Sequence, residues 1–341
     1  MQLYNKIDKK VLEERLANSD EPRTTISFYT YHTIDNPEFF RDHLYLTLSS
    51  VDVLGRIYVA TEGINAQISV PTDKLEDFKS LLYSIDWLNG CRLNLAVDDD
   101  GKSFIKLKIL VRSKIVADGL NDATFDASDV GTYLKAKEFN ELSSDPETIL
   151  IDMRNHYESE VGHFKNAITP DVDTFRESLP IIEEMITGKE DKNIVMYCTG
   201  GIRCEKASAY FKHKGFKKVH HLEGGIINYV KQIQQGGIEN RFIGKNFVFD
   251  KRLGERISDD VIAVCHQCGN ACDTHVNCKN EACHLLFIQC EQCGEALDHC
   301  CSVECQDFIQ LPIEEQRELR KGMPARNVYK KGRSPKLKFK K

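Results

Sequence analysis

The chain has 341 residues, of which 41% are hydrophobic and 29% charged, with a formal net charge of −6. That length is more than one core ordinarily holds, so two or three domains are expected. No apolar run approaches a membrane span, and the leader MQLYNKIDKKVLEERLANSD has neither the apolar core of a secretory signal nor the acid-poor composition of a transit peptide, so a cytoplasmic protein is expected.

Residues 1–23 read as a polar leader helix. The stretch TTISFYTYH (24–32), rich in β-branched and aromatic residues, reads as a strand. NPEFFRDHLYLTLSSVDV follows as a helix, with Asn36 as its cap and Pro37 in its first turn. GRIYVA and NAQISV are short strands joined by TEGI. A second helix spans PTDKLEDFKSLLYSI, with Leu75, Phe78, Leu81 and Leu82 on one face, and CRLNLAV and SFIKLKILV add strand-like runs. This order predicts a ferredoxin-like α+β domain over residues 24–118. Lys106, Lys108, Arg112 and Lys114 share one parity along the last run, which fits either a phosphate-tracking surface for RNA or a solvated sheet face.

Residues 119–135 read as a linker. From TILIDMRN onward, strands alternate with helices: DTFRESLPIIEEMI, NIVMYC, the helix after Gly201, KKVHHL and EGGIINYV. Such alternation implies parallel pairing and a doubly wound α/β domain over residues 136–240. The expected fold class is therefore multidomain α/β and α+β. A cysteine-rich region (241–310) and a basic tail (311–341) complete the chain.

Cys198 follows the apolar run IVMY, where an open parallel sheet presents its ligand-binding loops. Gly200 and Gly201 let backbone N–H groups converge there at a helix N-terminus, an arrangement that favours thiolate over thiol. Arg203 closes the loop with a permanent positive charge. The Cys-x4-Arg spacing suits a smaller group, such as a persulfide sulfur, than the Cys-x5-Arg loop of cysteine phosphatases; the sixth residue past Cys198 is Cys204. The alternative is an inert buried cysteine at a strand end.

IDMRNHYESEVGHFKNAI, MYCTGGIRCEKAS and HLEGGIINY together resemble a rhodanese domain. The resemblance implies that Asp152 and Arg154 brace the fold, that Glu158, Gly162 and His163 are scaffold or pocket residues, and that Cys198 carries the reactive sulfur. TEGINAQISV and FVFDKRLGERISDDVIAVCHQCGNACDTHVNC extend the likeness to nearly the whole chain, which resembles the rhodanese-containing tRNA uridine hydroxylases. Ala66-Gln67 stands where that family usually has Gly-Thr. The resemblance implies an enzyme acting on tRNA: oxygen-dependent hydroxylation of the wobble uridine to 5-hydroxyuridine, with molecular oxygen as co-substrate. No flavin or nicotinamide fingerprint accompanies it. The alternatives are a persulfide sulfurtransferase without an RNA substrate, and an RNA-binding protein with an inert rhodanese unit. Cys204 reads as a resolving thiol or a packing residue, and Lys206 as a substrate contact or an exposed helical lysine. His156 and His163 read as proton carriers or fold braces.

Ten of the 13 cysteines lie between Cys265 and Cys305. Cys265-x2-Cys268 and Cys290-x2-Cys293, 21 residues apart, have the spacing of a tetrahedral structural zinc site. The remaining cysteines, with His266, His275, His284 and His299, are enough for a second ion; packed free thiols are the alternative. From Arg320 to Lys341 there are ten basic residues and no acid, consistent with either a solvated tail or a nucleic-acid arm.

Overall fold

The structure, a computed structural model, describes residues 7–321, 332–334 and 337–338. They form two compact units that do not follow linear order. The first comprises residues 1–148, 188–240 and 248–252; the second comprises 149–187, 241–247 and 253–341.

In the first unit a five-stranded sheet runs Asn94–Leu95, Arg23–Tyr31, Gly63–Pro71, Leu54–Ala60, Leu107–Val111. Its first four strands pair antiparallel, and the last joins Leu54–Ala60 in parallel. Alternation decides which face is buried: Ile26 and Phe28 pack with Ile57, Val59, Ile64, Ile68 and the helix residues Leu44, Leu48, Phe78 and Leu82. Asn36 caps the helix Pro37–Ser49 by accepting the Phe39 N–H at 2.9 Å, a contact typically contributing about 1 kcal/mol. The α+β expectation holds here, with two runs shortened: CRLNLAV supplies only a two-residue strand, and SFIKLKILV pairs only from Leu107.

The same unit carries a parallel sheet in which Lys218–Leu222 lies between Thr132–Leu134 and Asn193–Tyr197. Thr132–Leu134 lies inside the expected linker; three residues are too few for periodicity to reveal a strand. The helices Ile202–His213 and Gly225–Gly236 follow the two longer strands.

In the second unit Gly162–Phe164 pairs antiparallel with Phe242–Gly244, and His275–Asn277 with Leu286–Ile288. Its cysteine-rich part has two small buried clusters, one around Tyr157, Val161, Phe247 and Ile288, the other around Phe287 and Leu337, each including several cysteines.

Residues 322–331, 335–336 and 339–341 of the basic tail lie outside the described residues, as do residues 1–6 of the leader. Where the tail is described it lies against the second unit. Gly332 N–H donates to Leu286 O at 2.8 Å, Lys338 N–H to His266 O at 3.0 Å, and Arg333 pairs with Asp171. No helix among the described residues is long and apolar enough to cross a membrane.

Candidate active site around a buried thiolate

The strand Asn193–Tyr197 is buried from Ile194 onward and ends at Cys198, itself only 1% exposed. The chain then turns through Thr199, Gly200 and Gly201 into the helix Ile202–His213. Gly201 caps that helix at φ 105°, and a Cβ there would stand 2.6 Å from the Tyr29 hydroxyl. Glycine is required at this position by backbone and space together. Gly200 differs: it takes no positive φ, and a Cβ would meet only Asn94 Nδ2, at 3.9 Å. Gly225, from EGGIINY, supports the loop from below. A Cβ there would press within 2.5–2.7 Å of Cys198 O, Thr199 O and Gly200 N, and Ile226 N–H donates to Cys198 O at 3.0 Å.

Burial by itself disfavours a charged Cys198. It is outweighed by the Cys204 thiol hydrogen bond, the Arg203 charge and the backbone N–H groups of Cys204 and Gly201, and the Cys198 pKa is lowered to about 6. Gly201 N–H reaches Cys198 Sγ at 3.1 Å. Arg203 is buried, with its guanidinium 6.0 Å from the Phe249 ring centre and 3.5 Å from Thr199 Oγ1. The loop therefore holds an ionised sulfur near neutral pH. Cys204 is fully buried and acts as a hydrogen-bond donor to that sulfur.

The two sheets of the first unit supply residues that motif reading missed. Tyr29 and Tyr133 both donate to Glu205 Oε1, at 2.8 and 2.9 Å, and Tyr31 OH donates to Ile202 O at 3.3 Å. Burial raises the pKa of Glu205, and burial followed by Glu205 raises that of Tyr29 well above the usual phenol range. Lys206 is 2% exposed, which removes the exposed-lysine reading. Its Nζ donates to Glu62 Oε2 at 2.9 Å and sits 5.2 Å from the Tyr31 ring centre. Glu62 belongs to TEGI and Lys206 to GGIRCEK, so an ion pair between a buried lysine and a half-buried glutamate joins two motifs 144 residues apart. Tyr29 and Tyr31 looked like ordinary strand aromatics; only their alternate positions on Arg23–Tyr31 could have marked a shared face.

Asp152 and Arg154 are placed in the second unit. Their carboxylate and guanidinium form a fully buried fork, Nε to Oδ1 at 2.9 Å and Nη2 to Oδ2 at 2.7 Å. Arg154 also donates to Gly162 O at 2.6 Å. Such bidentate geometry braces backbone. His163 Nδ1 lies 3.0 Å from Phe164 O, and His156 Nδ1 3.0 Å from Val172 O. Of the basic series on the first domain's last strand, Lys108 and Arg112 are exposed, and Lys108 pairs in register with exposed Arg56. Lys114 instead donates to Asp118 Oδ1 and Leu120 O, both at 2.7 Å. The sulfurs of Cys265, Cys268, Cys290 and Cys293 lie within 4.8 Å of one another, with Cys268 and Cys290 3.7 Å apart.

Three family models match the chain: a UPF0176 acylphosphatase-like domain at residues 23–115, a rhodanese-like domain at 135–232, and a rhodanase C-terminal domain at 243–306. A tRNA uridine(34) hydroxylase of Pectobacterium carotovorum is 59% identical over 321 residues, covering 94% of this chain and 90% of that protein. One from Photorhabdus laumondii is also 59% identical, covering 94% and 91%. Among solved structures, a rhodanese-like domain protein from Staphylococcus aureus is 18% identical and covers 29% of this chain and 90% of its own, with a TM-score of 0.24.

Proposed function

The chain belongs to the tRNA uridine(34) hydroxylase family, and we propose that it hydroxylates uridine 34 of tRNA with the Cys198 thiolate as the reacting group. The observation that carries Cys198 as the reacting group is its buried sulfur, met by the Gly201 N–H at 3.1 Å, with Cys204 and Arg203 lowering its pKa. A thiolate is the nucleophilic form of cysteine, and a pKa of about 6 keeps it populated at neutral pH. The 5-hydroxyuridine product and molecular oxygen as co-substrate are part of the same proposal, supported by the motifs in all three regions. Hydroxylating a C–H bond with molecular oxygen leaves one oxygen atom to become water, so a two-electron reductant is also needed.

In this reading Gly200, Gly201 and Arg203 shape and charge the thiol loop, while Asp152 and Arg154 brace the second unit. Arg56, Lys108 and Arg112 offer a positive face for tRNA phosphates. A plain sulfurtransferase would need the thiol loop but not the first domain. The 59% identity over 94% of the chain favours the hydroxylase. tRNA as substrate and the absence of a membrane-spanning helix among the described residues support a cytoplasmic location. We assign zinc to Cys265, Cys268, Cys290 and Cys293 on their mutual distances; bound there it would supply a structural crosslink.

The experiment is nucleoside mass spectrometry of tRNA from cells lacking this protein, complemented with the intact chain or with Cys198→Ala. Oxidised uridine at position 34 returning only with the intact chain supports the proposal. Its return with Cys198→Ala removes the thiolate from the mechanism.

A further inference from the structure

A second group of cysteines in the cysteine-rich region has a geometry of its own. Cys278, Cys283, Cys301 and Cys305 place their sulfurs within 4.8 Å of one another. Cys283 and Cys301 are 3.7 Å apart, as are Cys301 and Cys305. Four sulfurs at about 2.3 Å around a tetrahedral zinc stand about 3.8 Å apart, whereas a disulfide brings two sulfurs to about 2.05 Å. Neither group includes a histidine, so His266, His275, His284 and His299 are not needed as ligands.

We propose that Cys278, Cys283, Cys301 and Cys305 form a second tetrathiolate zinc site, interleaved in sequence with the group Cys265, Cys268, Cys290 and Cys293. This goes beyond the hydroxylase reading and does not depend on it. The four pairs alternate along the chain, the first and third holding one ion and the second and fourth the other. The loop closed by each ion therefore contains one ligand pair of the other. The two groups also repeat local chemistry. Cys290 N–H points at Cys265 Sγ and Cys301 N–H at Cys278 Sγ, each at 3.4 Å. Backbone donors of this kind stabilise a thiolate. The residue after the second cysteine takes left-handed φ in both cases: Gly269 at 82°, and His284, without glycine's freedom, at 48°.

Packing leads to the same assignment. Apart from cysteines, the fully buried apolar residues around the second group, among the described residues, are Phe287 and Leu337, with Val276, Leu285 and Ile309 partly buried against them. So small an apolar cluster does not hold a fold without a staple. On binding, four thiols release four protons and the ion takes up four thiolates, with no redox change. Sulfurs on different irons of an iron–sulfur cluster stand farther apart than sulfurs sharing one ion, so this set suits a single ion. Cys272 and Cys300 lie beside the two groups and belong to neither.

The test is zinc content of the intact chain from zinc-replete cells, by native and elemental mass spectrometry. About two zinc ions per chain are expected. The number should stay at two in Cys272→Ser/Cys300→Ser and in Cys198→Ala, and fall to about one in Cys278→Ser/Cys305→Ser. Should that last variant fail to fold, two ions retained in Cys272→Ser/Cys300→Ser still place them on the remaining eight cysteines of the region. About one ion in the intact chain, unchanged in Cys278→Ser/Cys305→Ser, would overturn the second site and leave the first. No zinc would overturn both while leaving the tRNA assay free to succeed.

Discussion

At Cys198, burial and its neighbours act in opposite directions, and Arg203 is the neighbour whose contribution can be removed with least change in shape. Arg203→Gln takes away the charge while keeping a long polar side chain. The Cys198 pKa should then rise, the acid limb of the pH–rate profile should move above its expected position near pH 6, and activity lost at pH 7 should recover at higher pH. A profile whose acid limb does not move would show that Arg203 does not tune the sulfur. The same shift is a statement about stability. A thiol whose pKa is lowered on folding adds stability that is fully present above the unfolded value and is lost as pH falls through the folded one. The Tm difference between the native chain and Cys198→Ser should therefore grow from pH 6 toward pH 9.

The turn and the sheet face behind it are element-scale devices. Gly201→Ala places a Cβ against the Tyr29 hydroxyl at a left-handed φ, and a loss of about 1–3 kcal/mol in denaturant-measured stability is expected; Gly200→Ala should stay within about 1 kcal/mol of the native chain. Lys206→Ala takes the cation from half-buried Glu62, which keeps the Ile115 N–H at 2.8 Å, and a loss of about 1–3 kcal/mol is expected. Lys206→Met with Glu62→Gln should lose less. On the outer face, Lys108→Ala/Arg112→Ala should weaken tRNA binding and reduce the slope of log affinity against log salt by about 2. Unchanged slopes would place the phosphates elsewhere.

The thiol loop was legible because its chemistry is local: strand end, turn and positive charge fall within six residues. The brace at Asp152 and Arg154 was expected from the resemblance to rhodanese domains alone, not from the spacing of the two residues. The Glu62–Lys206 pair and the Tyr29–Glu205–Tyr133 contacts were not, because each joins side chains that look like surface residues until a long-range register brings them together. Spacing marked the group Cys265, Cys268, Cys290 and Cys293 but not the second one, since the knuckle at Cys278 and Cys283 has four residues between its ligands rather than two.

At the scale of the whole molecule, linear order and spatial order part company. The sequence places one boundary at residue 240, and the chain passes between the compact units there and also after residues 148, 187, 247 and 252. Phe242 pairs in register with Phe164, the two rings meeting edge to face at 5.2 Å, and packs beside the Arg154 guanidinium. A fragment ending at residue 240 should consequently be aggregated or protease-sensitive, whereas the intact chain resists both. A stable, monomeric 1–240 fragment would contradict this account.

That interleaving has a cost during synthesis. The strand Gly162–Phe164 leaves the ribosome 78 residues ahead of Phe242. At the usual 5–20 residues per second, its hydrogen-bonding edge waits about 4–16 s for a partner. During that interval the nascent chain carries an open β-edge, and this is the stretch that a ribosome-associated chaperone would be expected to shield.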